Sequence, residues 1–314
     1  MIETQGLVKQ FGRVRALNGL TFRVEAGTIA GLLGANGAGK TTTLSILAGR
    51  LAPGQGLARV AGLDAAGGAL ALGSAVGFLP ETPPLYAEMR LADYLAFAAR
   101  LRGVPKQETG PRVEETLAAL GLADLAGRRC GGLSHGMRRR AGIAQALVHR
   151  PPVLLLDEPM AGLDPAQVVQ FRQLIASLRG RHTVLLSTHQ LSEAAKLCDK
   201  VVLMCKGRAV EDPRLANGSL PARHQGYTLR LTVRGDEPRL RQALAPLVSQ
   251  TFDLSPHPLL PGALAVQFTA AEDLREEAAR RVVEAGLGLL ELGAAEEQDL
   301  EALFLELTRQ EPIS

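Results

Sequence analysis

Residues 28–42 read Thr28-Ile29-Ala30-Gly31-Leu32-Leu33-Gly34-Ala35-Asn36-Gly37-Ala38-Gly39-Lys40-Thr41-Thr42. An apolar, strand-like run ends in a glycine-rich loop, and the loop opens onto a helix-compatible stretch, Thr43 to Leu51. From Gly34 to Thr41 the spacing is G-x-x-x-x-G-K-T, with a strand before it and a helix after it, which is the context a phosphate-binding loop requires. Gly34, Gly37 and Gly39 let successive backbone N–H groups turn inward around phosphate oxygens without Cβ clashes. The helix N-terminus adds positive potential at the same point. Lys40 reaches the β- and γ-phosphates, and the Thr41 hydroxyl is a ligand for Mg²⁺. The stretch therefore predicts a nucleoside-triphosphate site.

Working outward, 314 residues at 46% hydrophobic content suffice for one large or two ordinary domains with a substantial core. The net charge of +3 is unevenly spread: from Glu272 onward twelve acids face four bases, a net of −8, so the remainder carries +11. A basic body suits nucleic acid, an anionic membrane surface or plain solvation, and charge alone does not choose among them. Cys130, Cys198 and Cys205 lie far apart with no C-x-x-C pair, which argues against a disulfide framework or a zinc site and suits a reducing compartment. No signal-peptide apolar region opens the chain, and the uncharged stretch Ala65–Pro80 is too short and glycine-rich to span a bilayer. A cytosolic protein is expected.

Before the loop, Leu7-Val8 and Leu20 to Val24 read as strands with a turn near Phe11-Gly12. Phe11 is either core or a stacking platform for an adenine ring. After the first helix, Pro53 to Gly56 is read as a turn, and Ala65–Gly73 as a loop or weak helix. Val76 to Leu79 is a short strand stopped by Pro80, and Glu81 beyond it is open to two readings, a carboxylate beside the metal or an exposed loop acid. Residues 86–149 read as helical. Leu91, Tyr94, Leu95 and Ala98 fall at i, i+3, i+4, i+7; a second helix is expected near Val113–Leu120. Leu133-Ser134-His135-Gly136-Met137 precedes an amphipathic helix with Met137, Ala141, Ala144 and Val148 on its stripe, stopped by Pro151-Pro152. Ser134 either only caps that helix or, with the free N–H groups of the first turn, offers a second anion site.

Val153-Leu154-Leu155-Leu156-Asp157-Glu158 is an unbroken apolar strand ending in two acids, as expected of a strand buried on both faces of a parallel sheet. Ligands in such sheets sit at the strands' carboxyl ends. There Asp157 would serve the metal and Glu158 the attacking water. Asp164-Pro165 opens the next helix and Gly180 follows its end. Thr183 to Thr188 is another buried strand, and His189 at its end is either a satisfied polar residue or a γ-phosphate contact. Residues 212–226 read as a linker. Beyond them Tyr227, Leu229, Leu231 and Val233 alternate with polar residues, and the order β-α-β-β-α-β predicts a small ferredoxin-like unit followed by a helix carrying Leu300, Leu303, Phe304 and Leu307.

Over residues 1–215 the assembled motifs resemble the ATP-binding subunits of ABC transporters. Gly34–Thr42 looks like their Walker A loop, Val153–Glu158 like Walker B, Ala161–Asp164 like the D-loop, and His189 like the switch histidine. Leu133 to Met137 is similar to the L-S-G-G-Q signature, with His for the first Gly and Met for the Gln; Phe11 takes the adenine-stacking position. The family's Q-loop position carries Glu81. Single cassette, Leu-Pro-Glu stretch and C-terminal unit together resemble bacterial ABC-2 type exporter ATPases.

The resemblance implies an α/β fold: a P-loop NTPase cassette (1–215) with an inserted helical subdomain at about 86–150, a linker (216–226) and a C-terminal α+β domain (227–314). It implies ATP and Mg²⁺ as ligands. Phe11, Asn36, Gly37, Ala38, Gly39, Lys40, Thr41 and Thr42 would hold nucleotide, with Ser134 and Gly136 closing the neighbour's site. Thr41, Asp157 and Glu81 would serve the metal, and Lys40, Glu158 and His189 catalysis. It further implies a head-to-tail pair of cassettes, a separate transmembrane permease, no nucleic acid, and a place on the inner face of the cell membrane. The main rival is an ABC-type ATPase acting on nucleic acid or ribosomes, but the chain has neither the long coiled-coil or zinc insertions of the one group nor the tandem cassettes of the other. A P-loop kinase would need neither the Ser134 signature nor the Asp164 loop.

Overall fold

The structure is a computed structural model and describes residues 1–210, 227–249, 251–270 and 272–294. The chain divides into two compact units, Met1–Leu220 and Pro221–Ser314.

In the first unit the elements run β1 (Ile2–Phe11), β2 (Val14–Val24), β3 (Ile29–Leu33), α1 (Lys40–Leu47), β4 (Gln55–Val60), β5 (Leu63–Asp64), α2 (Gly68–Ala71) and β6 (Val76–Leu79). They continue with α3 (Leu91–Leu101), α4 (Lys106–Ala119), α5 (His135–Leu147), β7 (Val153–Leu156), α6 (Pro165–Ala176), β8 (Thr183–Thr188), α7 (Leu191–Leu197), β9 (Lys200–Cys205) and β10 (Arg208–Ala209). A six-stranded sheet has the order β10-β9-β3-β8-β7-β6, parallel except for β10. A four-stranded antiparallel sheet has the order β2-β1-β4-β5.

The apolar strands supply both cores by simple alternation. Leu154, Leu156, Val184 and Leu186 enter the cluster beneath α3, α4, α5 and α6. Their neighbours Val153, Leu155 and Leu185, with Ala30 and Leu32, enter the cluster formed with α1 and the antiparallel sheet. Successive residues of a strand point to opposite faces, so a strand covered on both sides must be apolar throughout. Small residues set how closely α5 lies on β6. A Cβ at Gly77 would meet Ala146 O at 2.1 Å, and one at Gly142 would meet Leu79 Cδ1 at 2.5 Å.

Four local expectations need correction. The first two strands are longer than their apolar residues suggested, because β1 and β2 form a hairpin closed by pairing Phe11 with Val14. The expected turn at Pro53 to Gly56 is half strand: Gln55 and Gly56 open β4, which pairs with β1 through Val8 and Gln55. The second helix is α4, beginning at Lys106 rather than near Val113. Pro105 sets its entry, and Pro111 is tolerated because the carbonyl it deprives belongs to exposed Gln107. Finally, α7 follows His189 without having been signalled.

The second unit runs β11 (Tyr227–Arg234), α8 (Glu237–Leu244), β12 (Phe252–Pro256), β13 (Ala263–Ala270), α9 (Arg275–Glu284) and β14 (Gly288–Ala294). Its antiparallel sheet has the order β12-β13-β11-β14. This is the β-α-β-β-α-β unit, with Leu229, Leu231 and Val233 of β11 packed against Leu240 and Leu244 of α8 and Val282 of α9. The linker at 216–226 and the helix carrying Leu300 to Leu307 lie outside the described residues.

Candidate nucleotide site

The glycine loop joins β3 to α1 at the carboxyl edge of the parallel sheet, where such sheets bind their ligands. Gly39 is the residue before α1, at φ 102°, and a Cβ there would strike Ala16 O at 2.6 Å and Leu17 Cδ2 at 2.7 Å of β2. Gly37 is different: its φ is +83° and nothing lies within 4 Å of where a Cβ would point. Gly39 is thus demanded by packing and backbone together, whereas Gly37 leaves an open concave backbone facing solvent. Asn36 is exposed, Ala38 is buried, and Ala38 N donates to Ala35 O at 3.1 Å, closing the loop's tight turn.

Lys40 is buried at 7% exposure, and its Nζ donates to Gly34 O at 2.7 Å and Ala35 O at 3.3 Å. The same Nζ lies 3.5 Å from Glu158 Oε1. The ammonium is thereby stored across the loop it serves. Thr41 is exposed, and its Oγ1 donates to Asp157 Oδ1 at 3.3 Å. Thr42 is half-buried in the first turn of α1.

Asp157 and Glu158 follow β7, as the sequence placed them. Asp157 is 1% exposed, and its N donates to Leu79 O at 2.8 Å. Glu158 has φ 45°, a left-handed backbone uncommon for a residue with a side chain, and its N–H donates to Ser187 Oγ at 2.8 Å. That turn swings the Glu158 carboxylate away from Asp157 and toward His189, whose Nδ1 lies 3.0 Å from Glu158 Oε2. One carboxylate is therefore flanked by Lys40 on one oxygen and His189 on the other. Ser187 was missed by the sequence reading; its only signal was a buried hydroxyl beside Thr188 at the carboxyl end of a largely apolar strand.

Among the described residues, no hydrogen bond or ion pair joins Ser134 or Gly136 to this cluster. Ser134 is exposed and caps α5, its Oγ accepting from Met137 N at 3.4 Å. Gly136 is buried under Gln167 of α6, whose Oε1 would lie 2.7 Å from a Cβ added there. His135 Nε2 lies 3.3 Å from Ala161 O. The signature turn is therefore packed on this chain's own D-loop and α6 through His135 and Gly136. Phe11 is 48% exposed at the tip of the β1–β2 hairpin with Lys9 Nζ 5.5 Å from its ring centre, so it is not a core residue. Glu81 is exposed.

Thr41 Oγ1 and Asp157 Oδ1 bring two oxygen donors together, a pair suited to Mg²⁺ shared with phosphate oxygens. Among the described residues no group of three or more His, Cys, Asp or Glu side chains could hold a metal by itself. A glycine cradle at a helix N-terminus, a lysine across it and two acids at the end of β7, separated from β3 by β8 alone, define a P-loop nucleotide hydrolase.

Comparison with known proteins narrows the class. Residues 17–161 match the family described as ABC transporter. The uncharacterized ABC transporter ATP-binding protein YxlF of Bacillus subtilis (strain 168) is 39% identical over 66% of this chain and 68% of its own length. The Nod factor export ATP-binding protein I of Paraburkholderia xenovorans (strain LB400) is 36% identical over 80% of this chain and 82% of its own. The dimeric structure of MJ0796, a bacterial ABC transporter cassette, shares the fold with a TM-score of 0.62 at 22% identity, over 67% of this chain and 97% of that one. The chain belongs to the ABC transporter family and is an ATP-binding, ATP-hydrolysing subunit. Among the described residues no helix is long and apolar enough to cross a membrane.

Proposed function

We propose that this chain is the motor subunit of an exporter. Two copies pair head to tail in the cytoplasm and drive a separate membrane-spanning permease at the inner face of the membrane. What best supports the pairing is the placement of Ser134, exposed at the start of α5 in a turn whose His135 and Gly136 pack on the D-loop and α6. A signature turn that leaves Ser134 exposed is free to close a neighbour's phosphate loop. The solved dimer of the same fold and the export role in the Nod factor relative's name support the same reading.

Within one site, Phe11 would stack on the adenine while the backbone of Asn36 to Thr42 holds the phosphates. Thr41 and Asp157 would hold Mg²⁺, which when bound offsets the charge on the β- and γ-oxygens. Lys40 turns from Gly34 O toward the phosphates and in doing so releases Glu158 Oε1. Glu158 then accepts a proton from the attacking water, its carboxylate kept in line by His189 on Oε2 and its backbone by Ser187. His189 reaches the γ-phosphate side.

The test has two parts. Lys40→Ala is expected to lose ATP binding or hydrolysis; turnover near wild type would refute the assignment of the loop. Cross-linking in membranes is expected to recover a protein with transmembrane helices. Recovery of nucleic acid instead, released by salt, would transfer the motor to the rival class.

A further inference from the structure

Arg139 is a charged residue inside the first unit. It lies in α5 at 3% exposure, and its Nη2 donates to Ala161 O at 3.4 Å. Among the described residues its Nε and Nη1 have no hydrogen-bond partner. Unpaired guanidinium N–H groups in a protein interior are costly, so a second acceptor is called for. Burial pulls its pKa down, and three carboxylates pull it back, Glu81 first, then Asp157 and Glu158.

The fold brings the Glu81 segment to the same helix face. Arg139 and Gly142 stand three residues apart on α5 and so share one face. A Cβ at Gly142 would meet Leu79 Cδ1 at 2.5 Å and Pro83 Cβ at 2.9 Å, the residues on either side of Glu81. Leu79 O also accepts from Asp157 N at 2.8 Å. Residues 79–83 thus run between the helix that carries Arg139 and the strand that ends in the two acids.

We propose that Arg139 is a positioning residue for Glu81, an unpartnered N–H on its Nε or Nη1 drawing that carboxylate in at the acid end of the site. An acid at position 81 adds a third negative charge beside Asp157 and Glu158, where an anionic triphosphate must also sit. The buried guanidinium offsets that charge and ties residues 80–83 to the signature helix, so that the two move together. The Ala161 bond occupies one N–H of Nη2 and accounts for an anchoring role in the D-loop; it leaves Nε and Nη1 open to Glu81. The proposal rests on the reading of Asp157 and Glu158 given above.

The test is a square of four proteins: wild type, Glu81→Gln, Arg139→Met and the double variant. Met keeps the long unbranched stem without the charge. Thermal midpoints without nucleotide, and kcat and KM for ATP, are read on each. In the wild-type background Glu81→Gln is expected to lower the midpoint by roughly 2–4 °C and kcat by about tenfold, with KM changed less than about threefold. With Arg139→Met in place, Glu81→Gln should change neither. Equal effects in both backgrounds, or none in either, overturn the coupling. Should Arg139→Met not fold, Arg139→Gln takes its place in the square. Glu158→Gln is the control: if it hydrolyses ATP normally, the underlying reading fails; if it is inactive while the other effects add, only the coupling fails.

Discussion

Ser187 Oγ donates to Asp157 Oδ1 at 2.7 Å and at the same time accepts from Glu158 N at 2.8 Å. One buried hydroxyl from β8 therefore fixes Asp157 by its side chain and Glu158 by its backbone. Ser187→Ala leaves a buried carboxylate short of a donor and a strained turn without its acceptor. The expected loss is about 1–3 kcal/mol of stability, the cost of an unmet buried polar group. Turnover should fall further than ATP affinity, because the water-side geometry loosens. Unfolding midpoints and steady-state ATPase of the one variant check both; a turnover loss matched by an equal affinity loss would limit Ser187 to a structural role.

Ser134 separates two roles that its capping bond alone cannot. If it only caps α5, replacing it costs about 1 kcal/mol and leaves hydrolysis intact. If it also closes the partner's site, Ser134→Arg should block hydrolysis while a single copy still binds ATP normally. Nucleotide titration at low protein concentration, beside turnover at high concentration, distinguishes the outcomes.

His149 gives the first unit an acid-sensitive point. It is 8% exposed, with Nε2 3.2 Å from Val76 O. Burial first, then the Arg102 charge, pulls its pKa from 6.5 down to about 4. Between those values the unfolded chain binds a proton there that the folded chain refuses, so stability falls as pH falls through that window. The span is worth at most about 3–4 kcal/mol, at roughly 1.4 kcal/mol per pH unit. His149→Gln keeps a side-chain donor for Val76 O and removes the titration. Urea midpoints at pH 7 and pH 4.5 should therefore differ less in the variant than in wild type; an unchanged difference would assign the acid limb to other groups.

Leu154 and Leu156 show why much of this fold is legible in the sequence. A strand covered on both faces has to be apolar at every position, and that run, ending in Asp157-Glu158, carries its topology and its chemistry together. The glycine loop is legible for a similar reason, since Gly39 meets β2 and Gly37 needs its positive φ. β4 was not, because Gly56 and Pro53 hide a strand that is held by pairing to β1 rather than by its own pattern. Ser187 and Arg139 were missed because their partners lie 30 and 22 residues away in Asp157 and Ala161, and no local spacing records such contacts.

Glu158 offers the most direct test of paired cassettes. Its carboxylate sits between Lys40 Nζ at 3.5 Å and His189 Nδ1 at 3.0 Å, and its N–H is held by Ser187. Glu158→Gln keeps that shape and the backbone anchor while removing the proton acceptor. ATP binding should survive, and hydrolysis should fall by about 10²-fold or more, the scale on which a general base contributes. With ATP uncleaved, the exposed Ser134 turn of each copy would stay closed over the other's nucleotide. Size-exclusion chromatography with Mg·ATP should then show the variant as a dimer and wild type mainly as a monomer. A dimer that forms equally without nucleotide, or never forms even beside the membrane partner, would refute the ATP sandwich while leaving the single-site chemistry of Lys40, Thr41 and Asp157 standing.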